Sequence, residues 1–239
     1  MEIYSYIAIT FLFSGFLQGL TGFGAALVAI PLLTLFIDIK EAVPLTILNS
    51  VVISIILSLQ LKKNMSWRKI YPLIAGSIPG TLIGVTALSK ANSDDIRVML
   101  GIMLISYGLY GLTFNLRPKK ISKAWSYLAG FASGAIGAAF AAGGPPSIIY
   151  TTLTGWSKDD IKATLSGFFL TSSLVIATTH AIGGLTTIQV IYDFTASFLC
   201  LVIGVFAGIR CYTNFKTEGY RKVIFVLLIL MGIMMVAKL

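Results

Sequence analysis

Two short segments of this chain are suited to interrupting a helix. Residues 18–31 read QGLTGFGAALVAIP, and residues 133–150 read SGAIGAAFAAGGPPSIIY. Glycine lacks the side chain that restrains the backbone, and proline lacks the amide hydrogen that a helix interior uses. Backbone groups freed by a break inside hydrocarbon are costly unless protein, water or ligand satisfies them. Such a break is therefore tolerated where it lines a cavity. The half-helix that follows presents free amides and the positive end of its dipole, an arrangement that suits an anion. Gly22, Phe23 and Gly24 in the first segment, and Gly143, Gly144, Pro145 and Pro146 in the second, are thus candidate anion-binding residues. Both prolines fit a first helical turn, where no amide hydrogen is needed. Thr21 and Ser147 offer hydroxyls beside the breaks, and Gln18, Asn49, Thr171 and Ser172 offer further amides and hydroxyls. No lysine or arginine stands in the middle of an apolar run, so dipoles and neutral donors would hold the charge.

Few residues could carry a proton. His180 is the single histidine and lies near the end of an apolar run, where an interfacial position is expected. Asp193 is the one carboxylate inside a run, and an intramembrane acid is a functional candidate by default. These two are the candidates for proton coupling. Catalytic patterns are absent: no metal-spaced Cys or His, no HExxH and no P-loop. Asp94, Asp159 and Glu218 fall in loops or at helix ends. The expectation is a protein that is not an enzyme and needs no metal or cofactor. Without an ATPase domain, any pumping must draw on ion gradients.

The elements that must position these residues follow from composition. Of 239 residues, 56% are hydrophobic and 11% charged, with a mean hydropathy of +0.90. A soluble domain would carry about 25% charged residues. Lipid must therefore cover most of the surface, and the bilayer is the first partner. Six runs read as spanning helices, about 44–61, 70–88, 96–114, 162–182, 188–209 and 221–237. Residues 4–36 and 124–153 are longer and contain the two breaks. The apolar start with Glu2 reads as a first membrane segment, not a leader. The net charge of +9 sits in short clusters between runs, as in cytoplasmic loops, which argues against nucleic acid. Trp67, Trp125 and Trp156 flank those clusters as interface anchors. Cys200 and Cys211 would lie about 16 Å apart on one helix, too far for a disulfide.

The two halves repeat. A shift of 115 residues matches Gly15 with Gly130, Gly19 with Gly134 and Gly22 with Gly137. A shift of 118 pairs Glu41 with Asp159 and Thr46 with Thr164, and one of 124 pairs Gly80 with Gly204 and Arg97 with Arg221. Residues 1–116 and 117–239 are read as duplicated membrane repeats. Gly15/Gly19 and Gly80/Gly84 have the spacing of close helix packing. If each broken segment folds back as a re-entrant hairpin, loops 62–69, 115–123, 154–162 and 210–222 share one side and hold 14 of the 18 basic residues. That asymmetry favours an all-α integral membrane fold of two inverted repeats, each a broken helix followed by three spans. A tilted or kinked continuous helix is the alternative.

TGFGAALVAIPLL in the first repeat and GGPPSIIY in the second resemble the sulfite exporter TauE/SafE family, over essentially the whole chain. Phe23 and Ala25 stand where many members carry glycine. The resemblance implies a secondary transporter of sulfur-containing anions (sulfite, thiosulfate or an organosulfonate such as sulfoacetate) in a prokaryotic inner membrane, with multiple spans. A passive anion channel and a non-transporting assembly or sensor protein are the alternatives, and a homo-oligomer is left open.

Overall fold

The computed structural model describes residues 2–113, 121–211 and 217–237, the side chains of 158 and 217–224 excepted. Ten α-helices and one 3-10 turn make up these residues, with no strand among them. Helix α1 (Glu2–Thr21) gives way to α2 (Ala25–Leu33) across Gly22, Phe23 and Gly24. Both glycines take left-handed backbone, φ 83° and 98°, which glycine adopts without steric cost. The Tyr6 hydroxyl donates to the Leu32 carbonyl at 2.9 Å, so α2 runs back along α1 to near its start. This is hairpin 1. Helix α6 (Ala124–Phe140) and α7 (Gly144–Leu153) form hairpin 2, folded back so that Tyr150 lies close to Ser126. The chain reversal that the charge asymmetry favoured is present in both places.

The remaining helices are α3 (Ile39–Leu61), α4 (Trp67–Lys90), α5 (Ser93–Thr113), α8 (Lys158–Ile182), α9 (Ile188–Cys211) and α10 (Thr217–Ala237). Among the described residues six helices are long and apolar enough to span a membrane: α1, α3, α4, α5, α8 and α9. Two helices begin several residues before the expected apolar runs, because polar caps extend them. The Asp38 carboxylate accepts from the Lys40 amide at 2.8 Å, and Ser157 accepts from the Asp160 amide at 3.2 Å.

Glycines set the closest helix contacts. A Cβ on Gly204 or Gly208 of α9 would lie 2.1 Å from the Leu12 or Phe16 carbonyl of α1; one on Gly19 would lie 2.3 Å from the Val205 carbonyl. Helix α4 meets α6 in the same way: Gly80 and Gly84 would strike the Phe131 and Ala135 carbonyls at 2.1 and 2.2 Å. The packing expected of Gly15/Gly19 and Gly80/Gly84 is what these glycines do. Helix α5 packs on α10, and α3 packs on α8 through the centre.

Each end of the bundle is tied by polar contacts. At one end Ser93 donates to Asp38 at 2.9 Å, and Lys40 Nζ reaches the Ser89 carbonyl at 3.4 Å. At the other, Lys69 and Asp160 form a 3.1 Å salt bridge, and Lys69 Nζ sits 4.7 Å from the centre of the Trp156 ring. The basic loops 62–69 and 154–162 thus share an end. Trp67 and Trp125 are 61% and 56% exposed at that end, as expected of anchors. Basic positions within 114–120 and 212–216 lie outside the described residues. Cys200 and Cys211 are unbridged.

Candidate functional site

Between the hairpin tips lies a cavity of about 70 Å³. A single water needs about 10–15 Å³ of such space, so the cavity admits a small anion with some of its water. Hairpin 1 contributes Gln18, Phe23, Gly24, Ala26 and Leu27; hairpin 2 contributes Ser133, Gly137 and Ala141–Gly144. Helix α3 adds Ile47, Ser50 and Ser54, and α8 adds Phe168, Phe169, Ser172, Ser173 and Ile176. Two loop breaks and two central helices therefore converge on one polar space with apolar walls.

The two half-helix ends are not equally open. Their first-turn amides have no partner within the helix and must find one elsewhere. In α2 the Ala25 amide donates to Gln18 Oε1 at 3.0 Å. The next two residues, Ala26 and Leu27, face the cavity. In α7, Pro145 and Pro146 have no amide hydrogen, and the Ser147 amide donates to Ser133 Oγ at 3.1 Å. Gln18 and Ser133 occupy matching positions at the 115-residue shift and do matching work, satisfying the helix that starts across the break.

Of the residues singled out from sequence, Gln18, Phe23, Gly24, Gly143, Gly144 and Ser172 line the cavity. The others face elsewhere. Thr21 hydrogen-bonds the Leu17 and Phe23 carbonyls, stabilising the turn itself. Gly22 lies beside Lys162 of α8. Asn49 is fully buried and donates to Ser197 of α9 at 3.1 Å and to the Leu45 carbonyl at 3.0 Å. Pro145, Pro146 and Ser147 build the first turn of α7, with Ser147 Oγ returned to the Gly144 carbonyl at 2.9 Å. Thr171 bonds the Gly167 and Phe168 carbonyls of its own helix. Ser50, Ser54, Ser133, Ser173 and the two phenylalanines were not foreseen. The repeat carried a signal for part of this set, since a shift of 118 places Ser54 on Ser172.

Residues 7–235 match the family described as Sulfite exporter TauE/SafE. The match covers nearly the whole chain. The chain belongs to that family. No curated protein and no solved structure matches it. Family membership and the apolar helices together make it a multi-pass membrane protein of a transporter family, and the helix breaks of this TauE/SafE chain meet at one cavity.

The two proton candidates of this family member lie outside the cavity lining. His180 is fully buried, not interfacial, and its Nε2 sits 2.9 Å from the Ala138 carbonyl. A carbonyl only accepts, so Nε2 carries the proton and Nδ1 is the basic nitrogen. Nδ1 is buried with no partner among the described residues. His180 therefore ties α8 to the last turn of α6, just before the break. Asp193 is 2% exposed and accepts from Gln189 at 3.0 Å one turn earlier on α9. Among the described residues no cluster of His, Cys, Asp and Glu could hold a metal.

Proposed function

We propose that this chain is a secondary transporter that moves sulfite, or another small sulfur oxyanion, across the inner membrane, using the cavity between the hairpin tips as its binding site. The observation that carries this reading is the meeting of two helix breaks at one cavity lined by serine hydroxyls, the Gln18 amide and the first turn of α2. An anion there would be held by amide and hydroxyl donors and by the helix dipole, worth about 2 kcal/mol when partly buried. That is too little to offset complete dehydration, so retained water belongs in the site. The volume favours sulfite or thiosulfate over longer carboxylated sulfonates.

The packing supports inverted repeats. Exchanging α1–α5 with α6–α10 turns the α1–α9 contact into the α6–α4 contact and leaves α3–α8 and α5–α10 unchanged. A hairpin plus three spans gives each half an odd number of crossings, which inverts the second half relative to the first. Rocking of the halves about the shared cavity would then expose it to one side at a time. The positive-inside rule would set the basic end toward the cytoplasm.

The test is a thermal-stability screen of purified protein against sulfite, thiosulfate, sulfate, small sulfonates, carboxylates and chloride at matched ionic strength, followed by counterflow in liposomes. A ligand that binds only the folded state adds about 2.7 kcal/mol at a hundred times its dissociation constant. Stabilisation by sulfur oxyanions, lost in a Ser50→Ala/Ser172→Ala double variant, is the expected outcome. Currents through single open channels would replace the carrier with a passive channel. Absence of both binding and flux would overturn the reading.

A further inference from the structure

Lys162 stands against the tip of hairpin 1. A Cβ on Gly22 would lie 3.4 Å from Lys162 Cε and 3.8 Å from its Cγ, so the aliphatic stem runs along the turn whose next two residues, Phe23 and Gly24, line the cavity. Lys162 is partly buried. On α8 it precedes Phe169 by seven residues and Ser173 by eleven, both whole numbers of turns to within about 20° at 3.6 residues per turn. It therefore lies on the cavity-facing stripe of α8, about 10 Å from Phe169 toward the basic end. Asp159, one turn earlier, is the carboxylate whose charge reaches it.

The opposite end is different. The 118-residue shift that pairs Asp159 with Glu41 places Pro44 where Lys162 stands, so the matching position on α3 has no cation. At that end Asp38 and the buried Asp193 lie near enough to act on Glu41, and Lys40 reaches the Ser89 carbonyl. A lysine thus lies against the tip of hairpin 1, whereas Gly143 and Gly144 of hairpin 2 have no cation among their nearest neighbours.

We infer that Lys162 is the anion-capture residue of the mouth at the basic end, and that it makes the two ends of the pathway unequal for a small oxyanion. This rests on the reading of the cavity as the binding site. The lysine raises the local anion concentration and holds the anion before it passes the tip. It changes the half-saturation at one end and leaves the driving force untouched, because a fixed charge cannot supply net work over a cycle.

The measurement is uptake of radiolabelled sulfite into proteoliposomes of sorted orientation, with each face of the protein supplied in turn. Lys162→Met keeps the stem that packs on Gly22 and removes the charge. It should raise the half-saturation at the basic face about three- to tenfold, leave the half-saturation at the other face unchanged while lowering the maximal rate from that face by the same factor, as an unchanged driving force requires, and lose this effect at high salt. Lys162→Arg should restore the wild-type value. Asp159→Asn, which removes the competing carboxylate, should lower it, and decides the matter alone should Lys162→Met fail to fold. Equal changes of half-saturation at both faces, or none, would overturn the role of Lys162. Ser172→Ala separates the two levels, since a cavity residue should raise the half-saturation at both faces. Wild-type protein that carries no sulfite would overturn the cavity reading and this inference with it.

Discussion

Where α1 turns into α2, two glycines are left-handed; where α6 turns into α7, the single left-handed residue is an alanine, Ala141 at φ 52°. Hairpin 1 is open at its tip, since a Cβ on Gly24 would meet nothing within 4 Å. Hairpin 2 is closed, since a Cβ on Gly143 would lie 2.3 Å from the Ser133 carbonyl and 3.0 Å from Gly137 Cα. The donors differ in the same sense. Hairpin 1 brings two first-turn residues of α2, Ala26 and Leu27, to the cavity, whereas two prolines and the Ser133–Ser147 bond leave the first turn of α7 few amides to offer. In the proposed site, hairpin 1 would then hold the anion and hairpin 2 would form the closely packed wall.

The largest expected effect separates the two glycines. Gly143→Ala forces backbone apart at a contact that cannot yield, and should cost about 3 kcal/mol or prevent folding. Gly24→Ala has space and suffers only the left-handed backbone, about 1–2 kcal/mol. Melting temperatures in detergent should therefore fall steeply for the first and modestly for the second, with transport measurable only in Gly24→Ala. Equal losses would mean that the tips are equally packed.

A smaller effect separates the two capping side chains. Ser133→Ala strands the buried Ser147 amide and should cost about 1–2 kcal/mol with little change in anion affinity. Gln18→Ala frees the Ala25 amide into the cavity, where water or the anion can reach it. Its stability loss should be smaller, and its anion affinity should change. Thermal shifts with and without sulfite give both quantities; an affinity change in Ser133→Ala alone would reverse the assignment.

Much of the fold was legible because lipid imposes one rule on every apolar run. All six expected runs are helices to within a turn or two, and the first five are long and apolar enough to span among the described residues; Asp38 and Ser157 account for two of the early starts. The hairpins were legible from loop charge, since only a reversal gathers the basic loops at one end. The breaks themselves announced the site through glycine and proline. Its lining was less legible, because a span that is apolar on every face gives no helical phase. Asn49 and Ser50 are neighbours about 100° apart on α3, and the first faces α9 while the second faces the cavity. Thr171 and Ser172 both bond carbonyls of their own helix, but only Ser172 lines the cavity. His180 read as interfacial because its run ends two residues later, yet the packing of α8 against α6 buries it.

The smallest expected effect concerns Ala141. A non-glycine residue in the left-handed region carries a cost of about 1–2 kcal/mol, which glycine would remove. Glycine also frees the unfolded chain, a loss of about 0.5–1 kcal/mol in the other direction. Ala141 packs with the cluster of Ile47, Val85, Ala138 and Ile176, so removing its methyl also gives up some contact at the cavity wall. These terms leave Ala141→Gly within about 0.5 kcal/mol of the wild type, on the stable side if strain dominates. The functional consequence is the more telling readout. If hairpin 2 is the rigid wall, relaxing its one strained alanine should loosen the cavity and weaken sulfite binding while the melting temperature barely moves. If binding and melting both stay unchanged, the rigidity resides in the Gly143–Ser133 contact and not in the turn.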